Sequence, residues 1–210
     1  MRTFLFSVVL SLALVATGDA QAKPKGDDLP TITLTTIEQF DAVFSKGKAI
    51  ETSLIESSKQ LTDARLELNK ALGVAADAPL KTALEDLKSK AGDALTVTME
   101  GGKPKLSVKD AAPDNVKVAV TAVGKLVDAC QAVVDQTKAI PGQVTELSTA
   151  ATAFPGQLTS IKVDDKMLLM KLPKTLGNNS KALAAFPTRA QEIGSEATSI
   201  LTDVGGLVSK

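Results

Sequence analysis

The groups that could carry chemistry are few, and their types limit what that chemistry could be. The 210-residue chain has one cysteine, Cys130, and no histidine, tryptophan or tyrosine. A Ser-His-Asp or Cys-His arrangement therefore lacks its base. A zinc site built from the usual His and Cys ligands lacks its donors. Carboxylates pair at Asp27-Asp28, Glu85-Asp86 and Asp164-Asp165, but each pair falls in a predicted loop or on a polar helix face, where solvated charge is the expected role. Gly101-Gly102 and Gly205-Gly206 lack the Lys-Ser/Thr and strand-to-helix setting of a phosphate loop. Asn178-Asn179-Ser180 matches a glycosylation sequon, yet it sits inside a predicted helix. Cys130 reads as a small buried hydrophobe, since free cysteine is among the most buried residue types. No catalytic, cofactor-binding or metal-binding residue is assigned, no cofactor is implied, and an enzyme is not expected.

Charge narrows the partners. The 24 basic and 24 acidic residues balance, whereas nucleic-acid binding needs a basic face to neutralise phosphates. Beyond the leader the aromatic residues are Phe40, Phe44, Phe154 and Phe186, so platforms for stacking bases or sugars are missing. A core this poor in aromatics must be built from Leu, Val, Ile and Ala on interdigitating helices.

The N-terminus reads as a secretory signal over 1–22. Arg2 supplies a positive start, Phe4 to Val15 is apolar apart from two serines, and Ala20-Gln21-Ala22 is a small-x-small cleavage site. The apolar run is shorter than the roughly 20 residues that span a bilayer. No cysteine follows it, so lipid anchoring through an N-terminal cysteine is not expected. The mature chain is expected to be exported, periplasmic or extracellular, and bacterial. Residues 23–34, with prolines, a glycine and four charges among few apolar residues, read as a flexible leader.

The remaining residues, 35–210, are expected to form a single helical-bundle domain. The organising stretch is Val116 to Ile161. Alternating steps of three and four give Val116, Ala119, Val123, Leu126, Cys130, Val133, Thr137, Ile140, Val144, Leu147, Ala151, Phe154, Leu158 and Ile161. Such spacing makes one stripe on a helix, the seam of a coiled coil or long bundle. A second unbroken series runs from Leu169 through Leu172, Leu176, Asn179, Leu183, Phe186, Ala190, Ile193, Ala197, Ile200 and Val204 to Leu207. The two mirror each other about residue 165, so an antiparallel hairpin would set Phe154 against Leu176, Thr137 against Ile193 and Cys130 against Ile200. A turn is expected at 163–166. The polar members Thr137 and Asn179 do not meet in that register, and Asn179 reads as a register-fixing residue.

An earlier helix is predicted over 36–72, about 55 Å at roughly 1.5 Å per residue. Its stripe holds Phe40, Val43, Gly47, Ile50, Leu54, Ser57, Leu61, Ala64, Leu68 and Ala71, broadened by Ile37, Phe44, Ile55, Leu66 and Leu72. Thr35 and Glu38 are spaced as a capping box, and Gly73 suits a left-handed stop. An insert follows at 74–112: a short helix over 78–91 capped by Asp77, then alternation with period two around Gly101-Gly102. Leu95, Val97 and Met99 alternate with polar residues before the glycines, and Leu106 and Val108 after them. That pattern predicts a β-hairpin leaning its Leu-Val-Met face on the helices, with Pro104 at an edge position.

Four prolines interrupt the long helices: Pro141, Pro155, Pro173 and Pro187, each after a large apolar seam residue. An interior proline costs about 3 kcal/mol by removing a hydrogen bond and crowding the previous turn. The seam keeps phase across all four, which predicts matched kinks rather than breaks. Ala-Phe-Pro recurs at 153–155 and 185–187, as duplication of a kinked unit or chance in a biased composition would give.

The expected fold is therefore all-α: an elongated antiparallel bundle of three long helices plus a short helix. A small β-hairpin insert lies between the first and second long helices. The expected function is a non-enzymatic binding or scaffold module of the bacterial cell envelope. Its partners would be proteins, with the hairpin as contact point. The alternative is an amphipathic lipid- or membrane-binding protein, carrier-like or, more distantly, pore-forming. Against it stand polar helix faces that are not rich in Lys or Arg and the missing aromatic anchors; the lysines around the hairpin turn oppose insertion as a pore.

Overall fold

A computed structural model describes residues 31–158 and 166–207. Of these, 78% are helical and 7% lie in a two-stranded antiparallel sheet. The expected signal sequence at 1–22, the leader up to residue 30, Ile161 and residues 163–165 of the expected turn fall outside the described residues; Lys166, the last residue of that expected turn, is helical.

The elements follow the periodicities. Helix α1 covers Glu38–Leu72, α2 covers Leu80–Ala91, strands β1 and β2 cover Leu95–Glu100 and Lys103–Val108, α3 covers Asp114–Thr152, α4 covers Phe154–Gln157 and α5 covers Lys166–Gly205. In α3 and α4 every seam residue from Val116 to Phe154 is buried. In α5 the seam is buried from Leu172 to Leu207. Each fully buried Leu, Val or Ile adds about 1.5–3 kcal/mol relative to exposure, so these stripes supply the driving force that the few aromatics cannot.

Residue pairs set the directions. Lys125 pairs with Glu67 and Ser57 donates to Gln136, so numbers rise along α1 as they fall along α3. Phe154 packs against Phe40 and Phe44, with ring centroids 4.5 and 5.4 Å away, at the far end of the same pairing. Between α3 and α5, Gly194 lies against Thr137: an added Cβ there would stand 2.7 Å from Thr137 Oγ1. That is one residue from the level the mirrored seams predict for Thr137.

The hairpin forms in the expected register, with Leu95 opposite Val108 and Glu100 opposite Lys103. Gly101 and Gly102 have φ of 58° and 81°. Both central residues of a two-residue turn are thus left-handed, the conformation whose twist suits a hairpin and which glycine adopts without strain. Val97 is buried against the helices, and the sheet rests on α3 and α5.

Several expectations need correction. Thr35 and Glu38 do not form a capping box: α1 opens after Ile37 with no side-chain cap. Thr36 has φ of 65°, which turns two successive N–H groups, those of Thr35 and Thr36, onto the two oxygens of Asp41 at 2.6 and 2.8 Å. The reach-back is made by Asp41 because the left-handed residue moves the helix start past Thr35. Helix α2 begins at Leu80, after Pro79 in extended conformation, rather than at Ala78. Proline disfavours helical geometry in the residue before it. Ile55 and Leu66 do not widen the α1 stripe and are 45% and 43% exposed. Met99, near the hairpin tip, is also largely exposed.

The prolines divide. Pro141, Pro173 and Pro187 lie inside continuous helices, as kinks require. Pro155 does not. The helix ends at Thr152, Ala153 makes a tightened bond to Ala150 at 3.4 Å, and a four-residue α4 follows. Each of the other three prolines is followed by at least two turns of well-packed helix. Pro155 stands instead in the first turn of α4, where its missing N–H removes no hydrogen bond.

Candidate functional site

Two features qualify as binding structure: a pair of grooves along α3 and a strap of extended chain at the N-terminal end.

The grooves flank the middle of α3. One lies between α3 and α5, has a volume of about 640 Å³, and is lined by Thr137, Lys138 and Pro141 on one side and Pro187, Gln191 and Ser195 on the other. The second lies between α1 and α3 with about 630 Å³, lined by Lys46, Ala49 and Ser53 facing Gln136, Ala139, Gln143 and Glu146. Both fall at the level of Pro141, whose partner across the first groove is Pro187, as the mirrored spacing anticipates. Small side chains leave these channels open: Gly194 and Ala190 on α5, Ala49 and Ser53 on α1, Ala139 on α3. The hydroxyls of Thr137 and Thr198 donate to backbone carbonyls of their own helices, so their protons are already committed. The remaining polar contacts come from Lys138, Gln191 and Ser195 in one groove and from Lys46, Gln136, Gln143 and Glu146 in the other. Lys138 and Ser195 share a groove without a hydrogen bond between them among the described residues, so the geometry of a Ser-Lys pair is not made. The arrangement offers apolar contact and scattered hydrogen bonding to an elongated guest.

The strap is residues 31–36. Ile32 is buried and its N–H donates to Glu51 Oε2 at 2.7 Å. Glu51, itself only 2% exposed, holds an ion pair to Lys48 at 2.7 Å with its other oxygen. Buried charge is tolerated when it is paired and hydrogen-bonded in this way. Thr33 N–H donates to Asn179 Oδ1 at 2.9 Å, and Asn179 Nδ2 donates back to Thr33 O at 2.7 Å. The Asn179 amide thus grips both backbone groups of one residue as a neighbouring strand would. Gly47 makes room: a Cβ there would approach Leu183 at 3.0 Å and Ile32 at 3.5 Å. Residues 31–34, read from the sequence as the end of a flexible leader, are held by two helices. Asn179, read as a register residue, has its amide occupied by the strap.

Cys130 is fully buried, and its thiol is pushed up from the ordinary 9.0 to about 12. Burial is the main cause; the Glu196 carboxylate adds to it and Arg65 opposes it. A thiol held neutral is a poor nucleophile. It also makes stability pH-dependent. Because the folded pKa lies above the unfolded one, the contribution is complete below about pH 9 and is lost as pH rises toward 12, at about 1.4 kcal/mol per unit. The stability advantage of the wild type over Cys130→Ala, read from urea midpoints, should therefore shrink by about 2 kcal/mol between pH 8 and 10.5. A constant gap would mean that the thiol is not shielded.

Other residues flagged by type stay apart. Asp86 pairs with Lys90 at 2.7 Å on α2. Asp27-Asp28 and Asp164-Asp165 lie outside the described residues. Among the described residues no group of three or more Cys, Asp or Glu is placed to hold a metal ion, and no helix is long and apolar enough to cross a membrane. Sequence reasoning missed Glu51, Asp41 and Ile32. Glu51 left one trace, a carboxylate directly beside a seam residue, Ile50. No protein-family model, curated protein or solved structure matches the chain.

Proposed function

We propose that the chain is a non-enzymatic binding module: an elongated antiparallel bundle of three long helices that presents grooves to a partner protein. It would act as a scaffold in the bacterial cell envelope after export through the signal-like residues 1–22. The observation that carries this reading is the pair of open channels on either side of α3, both at the proline level. Prolines there free backbone carbonyls and prevent close knob-into-hole packing. Largely apolar walls with a few scattered polar and charged groups suit a helix or an extended segment laid lengthwise. The hairpin, with its exposed Met99, is a second contact point of the same rod. What supports a role without catalysis is the residue inventory, which lacks histidine altogether.

The test is photo-crosslinking in the native host with the reactive residue at Gln143, in the groove, or at Lys81, on α2. Identified adducts should form from Gln143 and not from Lys81. The identified protein, purified, should bind the wild type and fail to bind Ala139→Trp, which fills the groove while leaving the core untouched. Equal adducts from both positions, or binding that ignores Ala139→Trp, would overturn the groove as the binding surface. A membrane-associated role is the second reading, favoured by the charge distribution of α5.

A further inference from the structure

The balanced total charge hides a segregated face. From Lys166 to Gln191 the chain carries Lys166, Lys171, Lys174, Lys181 and Arg189 and no carboxylate; the nearest in sequence are Asp165 and Glu192. Helical spacing sets Met167, Met170, Lys171, Lys174 and Lys181 on the side of α5 opposite the buried Leu172, Leu176 and Leu183. All five are exposed, Met167 by 62% and Met170 by 81%. Among the described residues none of the four lysines is in ion-pair range of a carboxylate, although seven other pairs form elsewhere. The first turn of α5 contains no acidic residue.

We propose that this face of α5 docks the protein on an anionic lipid bilayer. Unpaired lysines on one helix face are drawn to a negatively charged leaflet and fall away in salt. The two methionines decide which anionic surface is meant. Their thioether chains are long, flexible and apolar, and a bilayer offers them the boundary between headgroups and acyl chains. A nucleic acid would attract the same lysines but gives the methionines nothing to enter, and the chain has no Trp, Tyr or His to stack on bases. An acidic protein would need a surface matched to a convex, cationic helix end. Without aromatic anchors the attachment is peripheral and reversible, and no segment of α5 inserts across the membrane.

The experiment is vesicle co-sedimentation of the full chain as purified from its host, with phosphatidylcholine vesicles with or without about a third phosphatidylglycerol. Binding should require the anionic lipid and weaken steeply with salt. Lys171→Gln/Lys174→Gln should weaken it at least about tenfold. Met167→Ser/Met170→Ser should weaken it several-fold and leave the salt dependence unchanged. All four positions are exposed, so unchanged thermal melting serves as the folding control. Equal binding to neutral vesicles, or indifference to the lysine pair, overturns the proposal. So does loss on lysine replacement with no effect of the methionine pair, because that result points to a soluble polyanion. Ala139→Trp should bind vesicles normally, which separates this surface from the groove.

Discussion

Replacing Phe154 by alanine should cost about 3–5 kcal/mol of folding stability, the usual range for deleting a buried phenylalanine ring. The thermal midpoint should fall by about 10 °C for a chain of this size. Phe154 is the first residue after the break at Ala153 and is only 5% exposed. Its ring fills the space against Phe40 and Phe44, so truncation removes the one aromatic group common to both contacts and leaves a void between α1 and the end of α3. Those rings also fix where the chain goes once the helical ladder has failed. Phe154→Leu, which restores most of the volume, should recover more than half of the loss. Urea melts of the three proteins decide the matter. A loss below about 1 kcal/mol for Phe154→Ala would show that the chain beyond Thr152 is not part of the cooperative core.

The second large effect is expected at Asn179. Asn179→Leu keeps a seam of ordinary apolar type but removes both hydrogen bonds to Thr33. Stability should drop by about 2 kcal/mol, roughly one per hydrogen bond lost. Residues 31–36 should become susceptible to limited proteolysis while far-ultraviolet circular dichroism stays unchanged. A residue that set the register of α5 would behave otherwise: its replacement would alter helix pairing and melting cooperativity while the strap stayed protected. Loss of helical signal, or an unchanged proteolysis pattern, would therefore refute the strap assignment.

These two residues also show what could and could not be read in the sequence. The helices, the stop at Gly73 and the hairpin with its glycine turn were legible because each follows from local periodicity and backbone preference. Phe154 was legible as a seam position, but the break beside it was not. The four prolines look alike in the local pattern, but Pro155 alone of them stands in the first turn of a new helix, where a missing N–H removes no bond. The strap was hidden for a different reason. Ile32 is a single apolar residue in a polar stretch, and its anchors, Glu51 and Asn179, are remote in sequence. Taken over the whole bundle the polar faces read as poor in Lys and Arg; only α5 by itself shows the run from Lys166 to Gln191 without a carboxylate. Of the grooves, the proline level could be foreseen, but the small residues that open them gained meaning only once α1, α3 and α5 were side by side.

The strap has a consequence for how the molecule is made. Thr33 and its partner Asn179 are 146 residues apart. A ribosome adding about 5–20 residues per second needs on the order of ten to thirty seconds to pass from one to the other. Throughout that interval the front of the chain has no Asn179 amide to close on, although Glu51 is already available to Ile32. Residues 31–36 are thus open to cellular factors that handle nascent chains, and they close only once Asn179 has been made. A late helix is the latch on an early segment.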